Sequence, residues 1–199
     1  MIELRVVNDD NAKQYVKETI QKFHSYVPST QSVGRRIDWI VFNEGNPVGM
    51  IGIGSSVYPP PKDILNYVKM KKDVYKDNFN SFANNWRFCM REKIKNAGTQ
   101  ILKELRRQAP LHWKQKYNDE LKYLITFVAG GNNGAVYKAD NWIHCGQTAG
   151  LPKHESVSMK WHNKEELKEL YVKPTGENKK MIFIKSISVS YTHLRAHET

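Results

Sequence analysis

The stretch Thr126–Thr148, TFVAGGNNGAVYKADNWIHCGQT, decides how the rest of the chain is interpreted. An apolar, strand-like run leads into the cluster Gly130–Gly134, and a short segment that carries one tyrosine, Tyr137, follows. Glycine and asparagine tolerate the backbone angles of a sharp turn better than other residues do. The pattern therefore predicts a strand, a tight turn, a short helix over NNGAVYKADN and a second strand over WIHCGQT.

Helical and strand-like patterns alternate on both sides of this stretch. MIELRVV alternates as a strand does, and apolar residues then recur at helical spacing up to Phe23. RIDWIVFNEGNPVGMIGIGSS predicts two strands joined by a turn at 43–47, and a short helix is predicted near 64–71. After the strand-like WRFCM, TQILKELRRQAP predicts a helix with Thr99 as its N-cap, and LHWKQKYND a second helical piece after Pro110.

The order of these elements predicts the fold class. LKYLITFVA and KKMIFIKSI supply further strands, while HNKEELKEL is either a polar helix or a solvated loop. The resulting order, β-α-β-β-insert-β-α-β-α-β-β, indicates a single-domain α/β fold with a mixed sheet. The domain is expected to span residues 1–188, with an insert at about 58–84. The terminal VSYTHLRAHET resembles a translated sequencing adapter, so residues 189–199 are expected to be a non-native tail.

Composition narrows the class of protein. The 199 residues include 31 Lys and Arg against 20 Asp and Glu, and the net charge of +11 favours a polyanionic partner such as DNA. The alternative is a solvated basic surface. No run is apolar enough to span a membrane, MIELRVVNDD lacks the features of a signal peptide, and two cysteines are too few for a disulfide scaffold. These features predict a cytoplasmic protein without membrane contact, and they leave its oligomeric state open.

A strand, a loop and a helix in NWRFCM-REKIKNAG-TQILKELRR form a candidate anion site. A loop at a helix N-terminus leaves backbone N–H groups unpaired, and the helix dipole adds partial positive charge there. The alternative is a small-residue turn that only lets the helix pack on the strand. The residues predicted to bind a phosphate group are Lys95, Asn96, Ala97, Gly98 and Thr99.

Together, these two segments resemble the acyl-CoA-dependent acetyltransferase superfamily, the GNAT fold. In that family a strand-loop-helix binds acyl-CoA, and a later short helix carries a tyrosine near the CoA sulfur. The resemblance places Asn133 and Tyr137 in the family's positions, with Asn141 and Trp142 where a Gly-Phe pair is usual. It implies acetyl-CoA, or a related acyl-CoA, as cosubstrate and Tyr137 as the acid that protonates the leaving thiolate. The alternative for Tyr137 is a half-buried aromatic whose hydroxyl meets a carbonyl.

A narrower resemblance covers residues 23–150. FHSYVP, VGMIGIGSS, NNWRF, TFVAGGNNGAVYKADNW and IHCGQTAG are similar, in this order, to the Mom-type DNA-modification proteins of bacteriophages and to a related group of Druantia-type anti-phage systems. The Mom group is associated with modification of adenine N6 in phage DNA. Two positions depart from the pattern. Ala129 stands where the related sequences often have an aspartate after the TFV strand, and GLPKHES stands where the anti-phage group has a basic segment.

FHSYVP adds candidates on the acceptor side, which the first helix flanks in a GNAT-like fold. His24 could act as a base, a metal ligand or a stacking group, and Tyr26 could stack on a base flipped out of DNA. The alternative for His24 is a histidine stabilised by the dipole of the helix C-terminus. Outside the tail, the histidines show no metal-ligand spacing, so no metal site is predicted. The candidate nucleic-acid contacts are Arg35, Arg36, Lys69, Lys71 and Lys72.

These features converge on one function, with two alternatives. The sequence predicts a GNAT-like acyltransferase that acts on the adenine N6 amine of DNA. The first alternative is a general acetyl-CoA-dependent N-acetyltransferase that acts on a small amine. The second is a DNA-binding defence component that keeps the scaffold without catalysis.

Overall fold

A computed structural model describes residues 1–24, 30, 32, 34–129, 132–148, 150 and 179–187. Its strands are β1 Ile2–Val6, β2 Arg36–Asn43, β3 Asn46–Ser55, β4 Phe82–Met90, β5 Tyr123–Val128, β6 Ile143–Gln147 and β7 Met181–Ser186. Its helices are α1 Asp10–Phe23, α2 Lys62–Val68, α3 Lys72–Asp77, α4 Ala97–Tyr117 and α5 Ala135–Ala139. The predicted order of elements and the mixed α/β class are confirmed.

The described strands form a seven-stranded sheet in the order β1-β2-β3-β4-β5-β7-β6. Its neighbouring strands are antiparallel, except that β4 and β5 are parallel. This parallel pair is short, because only Phe82–Asn84 pairs with Tyr123–Ile125. Beyond that point β4 continues along β3 and β5 continues along β7. The two strands therefore diverge in the middle of the sheet and leave a gap between them.

A β-bulge lies in β4 where the gap opens. Gly52 of β3 pairs with Arg87, and the next residue, Ile53, pairs with Asn85, so Trp86 is the extra residue. A bulge bends its strand and redirects the side chains around it. Trp86 is thereby brought next to Asp38 of β2, and its indole Nε1 donates a hydrogen bond of 3.0 Å to Asp38 Oδ1. A side chain at Gly52 would collide with both groups, which explains the glycine at this position.

Helices cover both faces of the sheet. Successive residues of a strand point to opposite faces, so the contacts of alternate residues reveal which helix lies where. Trp39 and Ile51 pack in the core with α4, whereas Ile40 and Met50 pack with α1. The helices α2 and α3 pack against β4, β5 and β7 through Ile64 and Tyr75.

Two predictions about α4 are wrong. The helix begins at Ala97, with Asn96 as its N-cap, so Thr99 lies inside the first turn and does not cap it. No second helical piece begins after Pro110, because α4 runs unbroken through it. A proline inside a helix costs roughly 3 kcal/mol, but Ala109 and Trp113 are fully buried on either side of it. Burial of this continuous apolar face holds the helix together.

Other elements agree with the prediction or lie outside the described residues. The short helix predicted near 64–71 is α2, and α3 was not predicted. HNKEELKEL and the tail at 189–199 are outside the described residues, so the predicted end of the domain stays a prediction. In the part of the chain that the structure describes, no helix is long and apolar enough to cross a membrane.

Candidate functional site

A cleft of about 400 Å³ occupies the gap between β4 and β5. Its walls come from both diverging strands, from the end of α1, and from the turn and helix that follow β5. The described residues that line it are Phe23, His24, 85–90, 126–129 and 132–137. The opening stretch of sequence therefore contributes about half of this wall, as the strand-turn-helix pattern predicts.

Tyr137 lies at the base of the cleft and is 7 % exposed. Its hydroxyl lies 2.7 Å from Asn85 Oδ1. The Asn85 amide is oriented by its other bonds, because Nδ2 donates to the carbonyl oxygens of Gly52 at 2.8 Å and Arg87 at 3.0 Å. Its oxygen must then face Tyr137, so the phenol is the donor. Thr126 lies on the other strand, β5, and its Oγ1 is 3.5 Å from the phenol oxygen.

This geometry combines both sequence-based interpretations of Tyr137. The ring lines the cleft, as the resemblance implies, and the hydroxyl meets a carbonyl oxygen, as the alternative states. A phenol hydroxyl that donates to a neutral amide can donate instead to an anion that enters the cleft, because an anion is the stronger hydrogen-bond acceptor. The arrangement is therefore suited to proton donation, and the catalytic role of Tyr137 stays a prediction.

The turn before α5 sets the position of Tyr137. Asn133 Oδ1 accepts a hydrogen bond of 2.9 Å from the Ala135 N–H, so this side chain orients the start of α5. Gly134 has a φ of 67° and is buried against the Phe183 ring, and a Cβ there would collide with that ring. The cofactor-binding role that the resemblance implies for Asn133 stays a prediction. Phe183 also stacks on the Tyr137 ring, with centroids 5.8 Å apart.

A partly buried ion pair fixes the other end of α5. Arg106 of α4 makes two hydrogen bonds to Asp140, of 2.9 and 2.6 Å, and Asp140 is 8 % exposed. Asp140 Oδ2 also accepts from the Trp142 indole at 2.9 Å. The Trp142 ring packs edge-on against Tyr137 with centroids 5.0 Å apart. Together these contacts connect α4 to the ring at the base of the cleft.

His24 ends α1 at the rim of the cleft. Its backbone N–H donates to Ile20 O, and its side chain is partly buried. Burial and the nearby positive charge of Arg87 lower the pKa of His24 below its ordinary value of 6.5. This direction is opposite to the one that a helix C-terminal dipole produces. The imidazole is therefore neutral at pH 7, as a general base requires. Tyr26 lies outside the described residues.

The remaining cleft residues offer few acid–base groups. Burial raises the pKa of Cys89 to about 11, so this side chain is a thiol at pH 7 and a poor nucleophile. Ala129 occupies its expected place after β5, and the described lining contains no Asp or Glu. No group of three or more possible metal ligands occurs among the described residues. His24 is thus the candidate base in the described part of the cleft.

The predicted anion site lies at the start of α4. Asn96 has a φ of 59° and makes no side-chain cap, while Lys95 and Asn96 are exposed. Ala97 and Gly98 were predicted to lie in the loop, but they form the first helical turn together with Thr99. A Cβ on Gly98 would collide with Val136, which lines the cleft. The structure therefore brings this uncapped N-terminus next to α5 and the cleft, where an anionic group could accept from its N–H groups.

The predicted nucleic-acid residues fall into two different environments. Arg35 pairs with Asp119 at 2.5 Å and lies over the Tyr117 ring, while Arg36 pairs with Asp38 at 2.6 Å. These two guanidinium groups are already engaged in intramolecular contacts, which the sequence alone did not indicate. The other three predicted contacts are exposed around α2 and α3: Lys69, Lys71 and Lys72. DNA contact by all five stays a prediction.

Asn85 and Thr126 are site residues that the sequence analysis missed. Each is a polar residue within a strand of the sheet, and each is at most 5 % exposed. That pattern was the available signal, because buried polar side chains are almost always hydrogen-bonded. Arg106 and Asp140 carried no comparable signal, since charged residues on a helix and in a turn are ordinarily solvated.

Comparisons with known proteins identify a family and a fold. The profile of the family described as Druantia protein DruA matches residues 1–153. No curated protein sequence matches the chain. None of these findings bears on the resemblance to Mom-type proteins, which stays a prediction.

Three solved structures illustrate the fold. A GNAT-family acetyltransferase from Streptococcus pneumoniae is 13% identical over 94% of this chain and 100% of its own, with a TM-score of 0.52. The ribosomal-protein-S18-alanine N-acetyltransferase from Escherichia coli is 10% identical over 98% and 100%, with a TM-score of 0.50. An aminoglycoside acetyltransferase in complex with coenzyme A is 10% identical over 94% and 95%, with a TM-score of 0.51. At these identities the likeness shows the fold, and the expected GNAT-like architecture is confirmed.

Proposed function

The chain belongs to the DruA family of Druantia proteins, and we propose that it is an acyl-CoA-dependent N-acyltransferase whose acceptor is the N6 amine of adenine in DNA. One observation carries the proposal: a buried tyrosine hydroxyl, that of Tyr137, donates into the base of a cleft formed by two diverging strands. A neutral histidine lies at the rim of the same cleft. An acid and a base therefore line the same cavity.

The cleft has features that suit an acyl-CoA. The strand segments 85–90 and 126–129 do not pair with each other, so each can offer main-chain groups to an extended ligand between them. The uncapped start of α4, with Lys95 exposed beside it, suits a diphosphate. When bound, an acyl-CoA supplies an acyl group on a thioester, which is reactive toward amines.

In the proposed reaction, two side chains move protons. The His24 imidazole accepts the proton that the amine loses as its nitrogen bonds to the acyl carbon. The Tyr137 hydroxyl donates its proton to sulfur as the carbon–sulfur bond breaks, and Thr126 then donates toward the phenolate oxygen. Asn85 holds the phenol in place until that moment. General acid and base catalysis of this kind contributes roughly 10²–10⁴-fold each.

The choice of DNA as acceptor rests on two features of the chain. The net charge of +11 favours a polyanion, and the ordered motifs resemble Mom-type DNA-modification proteins. An adenine in a duplex must leave the base stack to reach such a cleft. Phe23, Trp86 and Phe88 supply aromatic surface for a flipped base at the cleft wall.

Mass spectrometry of nucleosides tests this proposal. DNA from cells that express the protein is digested to nucleosides, with Tyr137→Phe expressed at the same level as the control. We expect a modified deoxyadenosine with the wild-type protein and its loss in the variant. Unmodified DNA, with acetyl-CoA consumed by polyamines, would favour a small-amine acetyltransferase. DNA binding without affinity for coenzyme A would favour a non-catalytic defence component.

A further inference from the structure

A second concave surface lies apart from the cleft. It is a groove of about 860 Å³ at the edge of the sheet. Its walls are the end of β1, one face of α1, the start of β2 and the C-terminal part of α4. The described residues that line it include Asn8, Lys13, Lys17, Arg36, Asp38, Gln115 and Lys116.

The groove, called the basic groove below, concentrates the positive charge of three lysines from two separate helices. Lys13 and Lys17 are one helical turn apart on α1, Lys116 comes from α4, and all three side chains are exposed. Lys116 Nζ donates to Arg36 O at 3.0 Å and keeps two further N–H donors. Lys13 pairs with Asp10 at 2.9 Å, but both partners are largely exposed, and such pairs exchange readily with solvent and other anions.

The described lining of this groove contains one carboxylate, Asp38, and that group is already paired. Asp38 accepts from Arg36 Nε at 2.6 Å and from Trp86 Nε1 at 3.0 Å. Its charge is therefore balanced locally and does not offset the three lysines. Neutral donors lie among them, since Asn8 and Gln115 carry side-chain amides. A concave surface with exposed ammonium groups and amide donors suits a chain of phosphates.

The other lysine-rich surface is different in kind. Residues 62–77, which form α2 and α3, contain five lysines but also three aspartates, so opposite charges alternate there. That surface lies on two short helices, and Lys69, Lys71 and Lys72 project from it into solvent. The basic groove concentrates its cations in one concavity, which raises the local potential more than a convex surface does.

The basic groove also communicates with the cleft. Arg36 and Asp38 line the groove, and Trp86 lines the cleft. The Arg36 guanidinium lies 4.0 Å from the Trp86 ring centroid, while Asp38 bonds to the same indole. One side-chain cluster thus forms the wall between the two cavities.

We propose that the basic groove binds the sugar-phosphate backbone of a DNA strand and directs that strand to the cleft. Lys13, Lys17 and Lys116 contact phosphates, whereas Arg36 is held by Asp38 and Trp86 as part of the wall. The proposal that the DNA strand is directed to the cleft rests on the proposed function, but the proposal that DNA binds in the groove does not. Contacts of this kind are independent of base sequence and depend strongly on salt.

Fluorescence anisotropy with a labelled DNA duplex tests the proposal. The variant is Lys13→Gln/Lys17→Gln/Lys116→Gln. The control variant removes the same charge from exposed lysines outside the groove, Lys76→Gln/Lys103→Gln/Lys122→Gln. We expect the groove variant to weaken DNA binding at least about tenfold near 0.1 M salt, and to reduce the slope of log affinity against log salt by about 2 to 3. The control variant should change both quantities much less.

A third variant and two competitors decide between locations and ligands. Equal losses in the groove and control variants, or a larger loss in Lys69→Gln/Lys71→Gln/Lys72→Gln, would overturn the proposal. So would the absence of DNA binding by the wild-type protein at low salt. Poly-glutamate, whose charges are carboxylates, should compete less well than DNA. If poly-glutamate binds the groove as tightly as DNA, or RNA of the same sequence binds it more tightly, the assignment to DNA is wrong.

Calorimetric titration of coenzyme A into the same variants separates this proposal from the proposed function. We expect the groove variant to bind coenzyme A as the wild-type protein does. Loss of DNA binding in the groove variant, together with no coenzyme A binding by any form, would keep the groove and reject the acyltransferase. If coenzyme A binding is normal and DNA binding is unchanged in the groove variant, the groove proposal is rejected and the acyltransferase proposal is kept.

Discussion

The cleft and the basic groove lie on opposite sides of the Trp86 side chain and are built in opposite ways. The polar groups at the base of the cleft are buried, and each bonds to a named partner, as in the contact of Tyr137 with Asn85. The lysines of the groove are exposed on separate elements. Buried networks hold atoms in fixed positions, which chemistry needs, while exposed charges bind a flexible polyanion without fixed geometry. Substitutions in the two regions should therefore affect different measurements.

The largest expected effect is a loss of stability when the ion pair of Arg106 and Asp140, behind the cleft, is broken. Arg106→Leu leaves the Asp140 carboxylate, 8 % exposed, without its cation. Removing one partner of a fully buried pair costs about 3–5 kcal/mol of unfolding free energy, and the loss here should lie near the lower end because the Arg106 side chain is 28% exposed. Arg107→Leu is the matched control, because Arg107 is 66% exposed in its ion pair with Glu104 and its loss should cost less than about 1 kcal/mol. Urea denaturation followed by circular dichroism measures both, and equal losses would contradict the contrast.

The next effect concerns the hydroxyl at the base of the cleft. Tyr137→Phe removes the donor to Asn85 Oδ1 while the ring keeps its contacts with Trp142 and Phe183. We expect thioester turnover to fall at least about a hundredfold and unfolding free energy to fall by about 1–2 kcal/mol. Tyr67→Phe, at an exposed position, is the control. Release of free thiol from acyl-CoA measures turnover, and an unchanged rate in Tyr137→Phe would remove this residue from the mechanism.

A smaller effect follows from the lowered pKa of His24. The folded-state pKa lies below the ordinary value of 6.5, so the imidazole is neutral at pH 7 and becomes protonated only at lower pH. Turnover should be constant near neutrality and fall about tenfold per pH unit below that pKa. Unfolding free energy should fall as the pH drops from about 6.5 towards the lower folded-state pKa of His24 and then level off, because in that interval the unfolded state binds the proton and the folded state does not.

His24→Gln is the variant that tests this assignment. Its turnover should be lower near neutrality and should lose the acidic decline, while His144→Gln, at an exposed position on β6, should keep the wild-type profile. A pH–rate profile from 4.5 to 8 is recorded for all three proteins. An acidic decline that persists unchanged in His24→Gln would assign the base to another group.

The smallest expected effect is the change in stability when the groove lysines are replaced. Lys13, Lys17 and Lys116 are exposed, so the triple Gln variant should keep the urea midpoint of the wild-type protein while it loses DNA affinity. The same denaturation experiment measures this. A clear loss of stability would show that these lysines hold α1 or α4 in place, and would end the distinction between the two regions.

Much of the fold could be predicted from sequence because local patterns set it. The alternation in β1, the helical spacing in α1 and the glycine–asparagine turn before α5 all reflect short-range constraints. Pro110 shows the limit of that approach. Its local preference predicts a break, but burial of Ala109 and Trp113 against the sheet keeps α4 continuous. Tertiary packing decided this element.

The site could be predicted only in part. The place of Tyr137 followed from the turn before it, but its partner Asn85 is 52 residues away, and their contact depends on the divergence of β4 and β5. Likewise, Arg36 and Asp38 share one face of β2, but the stacking of Arg36 on Trp86 of β4 depends on how the strands pair in the folded sheet. Exposed cations and internally paired ones look alike in a sequence. Their environments become distinct only in the folded sheet.

Binding of coenzyme A tests the central claim most directly. Isothermal titration calorimetry is carried out with the wild-type protein and with Tyr137→Phe, beside a thiol-release assay on the same samples. The account predicts that both proteins bind coenzyme A with similar affinity, in a 1:1 ratio, and that only the wild-type protein turns over the thioester efficiently. Absence of coenzyme A binding by the wild-type protein would contradict the assignment of the cleft as an acyl-CoA site.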